Sequence, residues 1–176
     1  MNHIVLIGFM GTGKTRVGKR LSEELNLPYV DIDKKIATDM KMSVNEIFDK
    51  FGEPFFRALE TTALKQFIDT KERTVISVGG GLPIQPQNQP HLKQLGIIIH
   101  LTASVEILKK RLEGDDTRPL LAGHDLGERI ASLMKQREPV YESLADITVQ
   151  SGEQTFYQLM NELEEKIKEL DDRKQK

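Results

Sequence analysis

Ile4-Val5-Leu6-Ile7-Gly8-Phe9-Met10-Gly11-Thr12-Gly13-Lys14-Thr15-Arg16-Val17 is the stretch that decides the fold. Its first four residues are a continuous apolar run ending at a glycine, as in a strand buried on both faces. From Gly13 onward, Val17, Leu21 and Leu25 recur at every fourth position, which is one face of a helix. Between strand and helix, Gly8 to Thr15 matches G-x-x-x-x-G-K-[ST]. The glycines let the backbone curl so that N–H groups point inward at a polyphosphate. The helix adds its positive N-terminal end. Lys14 suits the β/γ-phosphates, and the Thr15 hydroxyl can ligate Mg²⁺. In this composition a chance match occurs on the order of 1% of the time, so a phosphate-binding loop is the reading. Gly11, Thr12, Gly13, Lys14, Thr15 and Arg16 are the nucleotide-binding candidates.

Outward from this unit, strands and helices alternate. Tyr29–Ile32, Thr74–Val78, Ile97–Leu101 and Asp146–Gln150 are predicted as strands. Helices are predicted over 34–40, 43–50, 54–70, 104–112, 126–144 and 153–170, with a short one after Pro90. Ser43 and Glu46 form a capping box for the second of these. Such alternation implies an α/β fold: a five-stranded parallel sheet with helices on both faces, of the P-loop NTPase type. Ligands of such sheets bind beyond the carboxyl ends of the strands. The polar segment 114–127 is predicted to be a mobile lid, and 171–176 a frayed tail.

The chain has 176 residues, enough for a single domain spanning 1–176. Its net charge of −2 disfavours a general nucleic-acid binder. Cysteine is absent, which excludes disulfides, thiolate metal sites and a Cys nucleophile. No apolar run approaches the ~20 residues a membrane span needs. No Lys or Arg precedes the apolar Ile4–Met10, so it does not read as a signal peptide. The chain is expected in the cytoplasm, as a monomer, with no nucleic-acid or membrane partner.

The loop specifies a nucleoside triphosphate but not the reaction. The Asn-Lys-x-Asp of switch GTPases does not occur. Acceptor candidates lie at the other strand ends. Asp31 and Asp33, two apart in a predicted strand, can face one cleft. The alternative for Asp33 is a helix N-cap. Gly79-Gly80-Gly81 after the third strand offers bare N–H donors to a ligand, or is simply a turn. Arg57 is either a guanidinium fork for a carboxylate or an exposed i,i+3 partner of Glu60. Arg118 in the polar loop could close over a transferring phosphoryl group. Arg111 and Arg137 on the flanking helices could equally be solvated.

Gly8–Thr15, Asp31-Ile32-Asp33, Phe56-Arg57-Ala58-Leu59-Glu60, Gly79-Gly80-Gly81, Thr117-Arg118-Pro119-Leu120-Leu121 and Arg137 with Tyr141 occur in that order. Together they resemble the shikimate kinase family from about residue 3 to 165. The resemblance implies a nucleoside-monophosphate-kinase-like fold and transfer of the ATP γ-phosphate to the 3-hydroxyl of shikimate, a step toward chorismate and the aromatic amino acids. It implies that Arg57 and Arg137 grip the shikimate carboxylate and that Gly79, Gly80 and Gly81 contact the ring substituents. By the same resemblance, Asp33 binds the hydroxyls and is the base. Lys14 and Arg118 act on the phosphates, Arg111 lies near the adenine, and Asp31 reaches Mg²⁺ through water. One departure is that Gln150-Ser151-Gly152-Glu153-Gln154 lacks the arginine the family often carries after the last strand. On the residues alone, a kinase for gluconate or a nucleoside monophosphate remains an alternative, as does a nucleotide-binding protein without catalysis.

Overall fold

The computed structural model of the chain describes residues 3–114 and 125–174. Five parallel strands form one sheet: β1 (His3–Ile7), β2 (Tyr29–Asp31), β3 (Val75–Ser77), β4 (Gly96–Thr102) and β5 (Ile147–Gln150). Their order is β2-β3-β1-β4-β5. The helices are α1 (Lys14–Glu24), α2 (Ile32–Met40), α3 (Val44–Phe51), α4 (Glu53–Lys65), α5 (Gln89–Leu95), α6 (Val105–Leu112), α7 (Leu126–Leu144) and α8 (Phe156–Lys174). Central β1 places Val5 opposite Ile76 of β3 and Ile98 of β4.

Every residue of β1 is buried, and its side chains alternate between two cores. Val5 and Ile7 pack with Ile76, Ile98 and apolar residues of α2, α4, α5 and α7. Ile4 and Leu6 pack with Ile97, Ile99, Val17 and Leu21 of α1, and Leu159 and Leu163 of α8. This two-sided burial is what an uninterrupted apolar run requires, and each fully buried branched side chain contributes about 1.5–3 kcal/mol. Edge strand β5 instead alternates buried and exposed residues. No helix among the described residues is long and apolar enough to cross a membrane.

The predicted elements are present with shifted ends. The Ser43/Glu46 capping box closes on α3, with Ser43 N donating to Glu46 Oε2 at 2.7 Å. α4 stops at Lys65 rather than 70, because the next amides bond three residues back: Phe67 to Leu64 and Ile68 to Lys65. α8 begins at Phe156, not 153, where Thr155 and Gln158 cap each other reciprocally. It runs on through 171–174, where the sequence predicts a frayed tail. Asp171 there pairs with Arg73 at 2.9 Å, which ties the helix end to the body. Of the predicted lid, 115–124 and with it Arg118 lie outside the described residues, while Leu126 and Gly127 belong to α7, capped by Asp125.

Candidate active site

The carboxyl ends of β1, β2 and β3 open on a common cleft, a cavity of about 470 Å³. Gly11, Gly13, Lys14, Thr15 and Arg16 line one side; Asp31, Asp33, Lys34, Gly79 and Gly80 line the other. The donor side is built locally. Gly13 takes φ +98°, a left-handed conformation that only glycine adopts cheaply, and from there α1 starts. Thr12 Oγ1 donates to Phe9 O at 2.8 Å and staples the curl. Lys14 Nζ donates to the Gly8 and Phe9 carbonyls, both at 2.9 Å, so its ammonium lies across the loop.

β2 ends at Asp31, earlier than predicted, and this changes why the two aspartates share the cleft. Asp31 is the N-cap of α2, accepting from Lys34 N at 3.2 Å. Asp33 sits in the first helical turn rather than in a strand, and it is not the cap. The chain turns from strand to helix between them, and both carboxylates still reach one cavity. Thr15 Oγ1 lies 3.4 Å from Asp31 Oδ2, bringing together the two oxygen donors expected to serve a metal.

Arg57 and Glu60 are not the exposed surface pair that helical spacing allowed. Glu60 is fully buried, and Arg57 Nη1 donates to it at 2.8 Å. Gln85 Nε2 also donates to Glu60 Oε2, at 3.0 Å. Glu53 holds the other edge of the guanidinium at 2.9 Å. Burial pushes the Glu60 carboxyl up to about 7, with Arg57 pulling the other way and Asp33 adding to the rise. Glu60 is therefore a buried partner of Arg57 in the candidate site that the sequence reading missed. Its i,i+3 relation to Arg57 was visible, but its burial was not.

At the triple glycine, the space that side chains would take at Gly79 and Gly81 is approached by the protein's own Asp33 and Arg57. A Cβ on Gly79 would lie 2.9 Å from Asp33 Oδ1, and one on Gly81 would strike the Arg57 guanidinium at 2.5 Å. Small residues here let Asp33 and Arg57 come up against the backbone. Gly80 O accepts from Tyr141 Oη at 2.6 Å, which fixes α7 beside the glycines. Arg137, one turn earlier on α7, joins Arg57 and Gly81 around an adjoining cavity of about 440 Å³. The two predicted carboxylate-gripping arginines thus meet.

On the other flank of the loop, a cavity of about 230 Å³ is lined by Gly11, Arg16, Arg111, Ser151, Gln154 and Phe156. Arg111 Nη1 donates to Gly11 O at 2.8 Å and to Ser151 Oγ at 3.1 Å. The Arg16 guanidinium lies 3.9 Å from the centre of the Phe156 ring. A polar wall and an aromatic floor stand where the sequence lacked an arginine.

A phosphate-binding loop opening toward a carboxylate and two arginines, on a five-stranded parallel sheet, defines a P-loop kinase. The shikimate kinase family model matches residues 10–168. A shikimate kinase from Geobacter metallireducens is 42% identical over 167 residues, covering 93% of each chain. One from Thermodesulfovibrio yellowstonii is 44% identical over 142 residues, covering 81% of this chain and 82% of its own. The solved shikimate kinase from Acinetobacter baumannii in complex with shikimate superposes with a TM-score of 0.88 at 33% identity, covering 95% of this chain and 93% of that one. A gluconokinase from Sinorhizobium meliloti (TM-score 0.61, 15% identity, covering 98% of this chain and 94% of that one) shares the fold alone. The chain belongs to the shikimate kinase family and is an ATP-dependent kinase.

Proposed function

We propose that this kinase transfers the γ-phosphoryl group of ATP to the 3-hydroxyl of shikimate, giving shikimate 3-phosphate and ADP. The observation that carries this reading is the common cavity. Lys14 and Thr15 face Asp33 and Gly79 across it, with Arg57 and Arg137 beside it.

In this reading the shikimate carboxylate is held by the forks of Arg57 and Arg137, which suit a planar anion. Glu60 keeps the Arg57 fork oriented. Gly79, Gly80 and Gly81 offer backbone contacts to the ring substituents. Asp33 accepts a hydrogen bond from the 3-hydroxyl and aims its oxygen at the γ-phosphorus. As the new O–P bond forms and the bond to the β,γ-bridging oxygen breaks, the hydroxyl proton passes to Asp33. The loose transition state asks for positioning first and proton transfer late. Lys14 exchanges its loop carbonyls for the β/γ-phosphate oxygens, Arg118 supports the phosphates, and Gly11, Thr12, Gly13 and Arg16 cradle the nucleotide. Arg111 borders the adenine.

Thr15 Oγ1 and the Asp31 carboxylate, 3.4 Å apart, are hard oxygen donors that fit Mg²⁺ and would hold it. When bound, the ion neutralises phosphate charge. A cysteine-free chain with net charge −2 fits a cytoplasmic monomer acting on small molecules, without nucleic-acid or membrane partners.

The test is a panel of acceptors (shikimate, gluconate and nucleoside monophosphates) in a coupled ADP assay, with product identified by phosphorus NMR. Phosphorylation of shikimate at the 3-position is expected. Turnover of gluconate or a nucleotide in preference to shikimate would refute the assignment.

A further inference from the structure

His100, near the end of β4, is buried at 1% exposure, yet neither ring nitrogen has a hydrogen-bond partner. A buried polar atom without a partner costs about 1–3 kcal/mol, so its presence needs a reason. Two neighbours supply one. His100 Nε2 lies 3.3 Å from Glu138 Oε2 on α7, and its ring centroid lies 5.3 Å from that of Tyr141. The other carboxylate oxygen, Glu138 Oε1, accepts from Thr102 Oγ1 of β4 at 3.4 Å. The end of β4 therefore meets both oxygens of the Glu138 carboxylate, one by the Thr102 hydrogen bond and one by the close approach of His100. Glu138 directly follows Arg137, and Tyr141 reaches Gly80. Burial and the nearby Lys14 push His100 down to about 4, so its ring is neutral near pH 7 and meets Glu138 as a close polar contact rather than as an ion pair.

We propose that the His100–Glu138 contact is a latch that positions Arg137 for the acceptor carboxylate, making His100 a positioning residue for acceptor affinity. The proposal rests on the reading of Arg137 given above. The latch acts through geometry. Arg137 sits on a helix whose sheet-facing side is set by Glu138 against the end of β4 and, one turn on, by Tyr141 against Gly80. Loosening the first contact leaves Arg137 free to swing away from Arg57, and two arginines that no longer converge bind a carboxylate less well. The nucleotide loop is built from β1 and α1, and α7 meets it where the Arg137 guanidinium lies 5.8 Å from the centre of the Phe9 ring, so ATP binding should change less than acceptor binding.

Steady-state kinetics on four single variants and one double variant test this. His100→Phe keeps an aromatic ring against Tyr141 but deletes the nitrogens. Glu138→Gln keeps the shape and removes the charge. Each is expected to raise the KM for shikimate about threefold to tenfold, with smaller changes in kcat and the KM for ATP. The double variant should be no worse than the worse single, because both break one contact. His100→Gln, which restores an N–H donor, should recover much of the loss. Arg137→Met tests the underlying reading with a larger rise in the same KM. If Arg137→Met raises that KM and the two latch variants do not, the latch is refuted and the acceptor reading stands. If Arg137→Met leaves it unchanged, both fall. Equal losses in kcat and both KM values, together with a lower melting temperature, would mean the contact only supports the fold and would overturn the proposal.

Discussion

The donor half of the cleft is one stretch of chain, whereas the acceptor half is drawn from four. In the donor half the bonds that shape the curl, from Thr12 and Lys14 to the Gly8 and Phe9 carbonyls, span six residues or fewer, and Arg111 and Ser151 brace the finished loop from outside. In the acceptor half Gln85 reaches Glu60 across 25 residues, and Tyr141 reaches Gly80 across 61. The first half depends on backbone curvature that three glycines and a helix start dictate locally. The second depends on a buried carboxylate whose ionisation and packing hold an arginine fork in place. A local loop should tolerate changes elsewhere in the molecule, and an assembled pocket should not. The donor half should also be indifferent to pH near neutrality, while the acceptor half should respond to it.

The largest effect that would sharpen this contrast is at Lys14. Lys14→Ala should lower ADP formation by more than about a thousandfold, since it removes a preorganised cation from the transferring phosphate. Its circular dichroism should be unchanged and its melting temperature nearly so, because the Lys14 ammonium bonds to the Gly8 and Phe9 carbonyls of the loop rather than supporting the core. A variant within tenfold of the parent would break the assignment of the loop.

Next comes Asp33. Asp33→Asn should lose turnover by more than about tenfold, or ~1.4 kcal/mol in barrier, with the KM for ATP nearly unchanged. Turnover retained within that factor would show that Asp33 only orients the acceptor and that the proton leaves by another route.

The smallest effect is the pH response of Glu60. Its carboxyl is raised to about 7 against an ordinary 4.5, with burial the first cause. The folded protein thus holds a proton that the unfolded chain has already released across that interval. The stability this confers is complete below the ordinary value and is lost as pH rises through about 7. Function runs the other way, because the anion is the form that orients Arg57. Between about pH 6 and pH 8 the melting temperature should fall while the KM for shikimate improves severalfold, and Glu60→Gln should flatten both trends. A KM for shikimate that varies equally in parent and variant would place the titration elsewhere.

Much of this molecule was legible in its sequence. The run Ile4–Ile7 had to be central because nothing in it could face water, and its alternation between two cores follows. The phosphate loop was legible because its geometry is local. Asp33 was legible as a cleft residue but for an incomplete reason: α2 begins at Ile32, so a helical turn and not strand alternation aims it. Glu60 was illegible because the same i,i+3 spacing describes a solvated pair and a buried one; only the packing of Gln85 and the glycines over α4 separates them. The roles of Gly79 and Gly81 were half legible. Bare backbone was foreseen for a ligand, and the structure adds that the missing side chains also make room for Asp33 and Arg57. The start of α8 was encoded all along in Thr155-Phe156-Tyr157-Gln158, whose ends cap each other.

The two halves can be called one active site only if the acceptor controls the donor's chemistry. ADP release from Mg·ATP, followed with and without millimolar shikimate, tests this directly. The account predicts little release with ATP alone and a strong, saturable increase on adding shikimate. Release at the same rate in both conditions, with ATP binding intact, would contradict it.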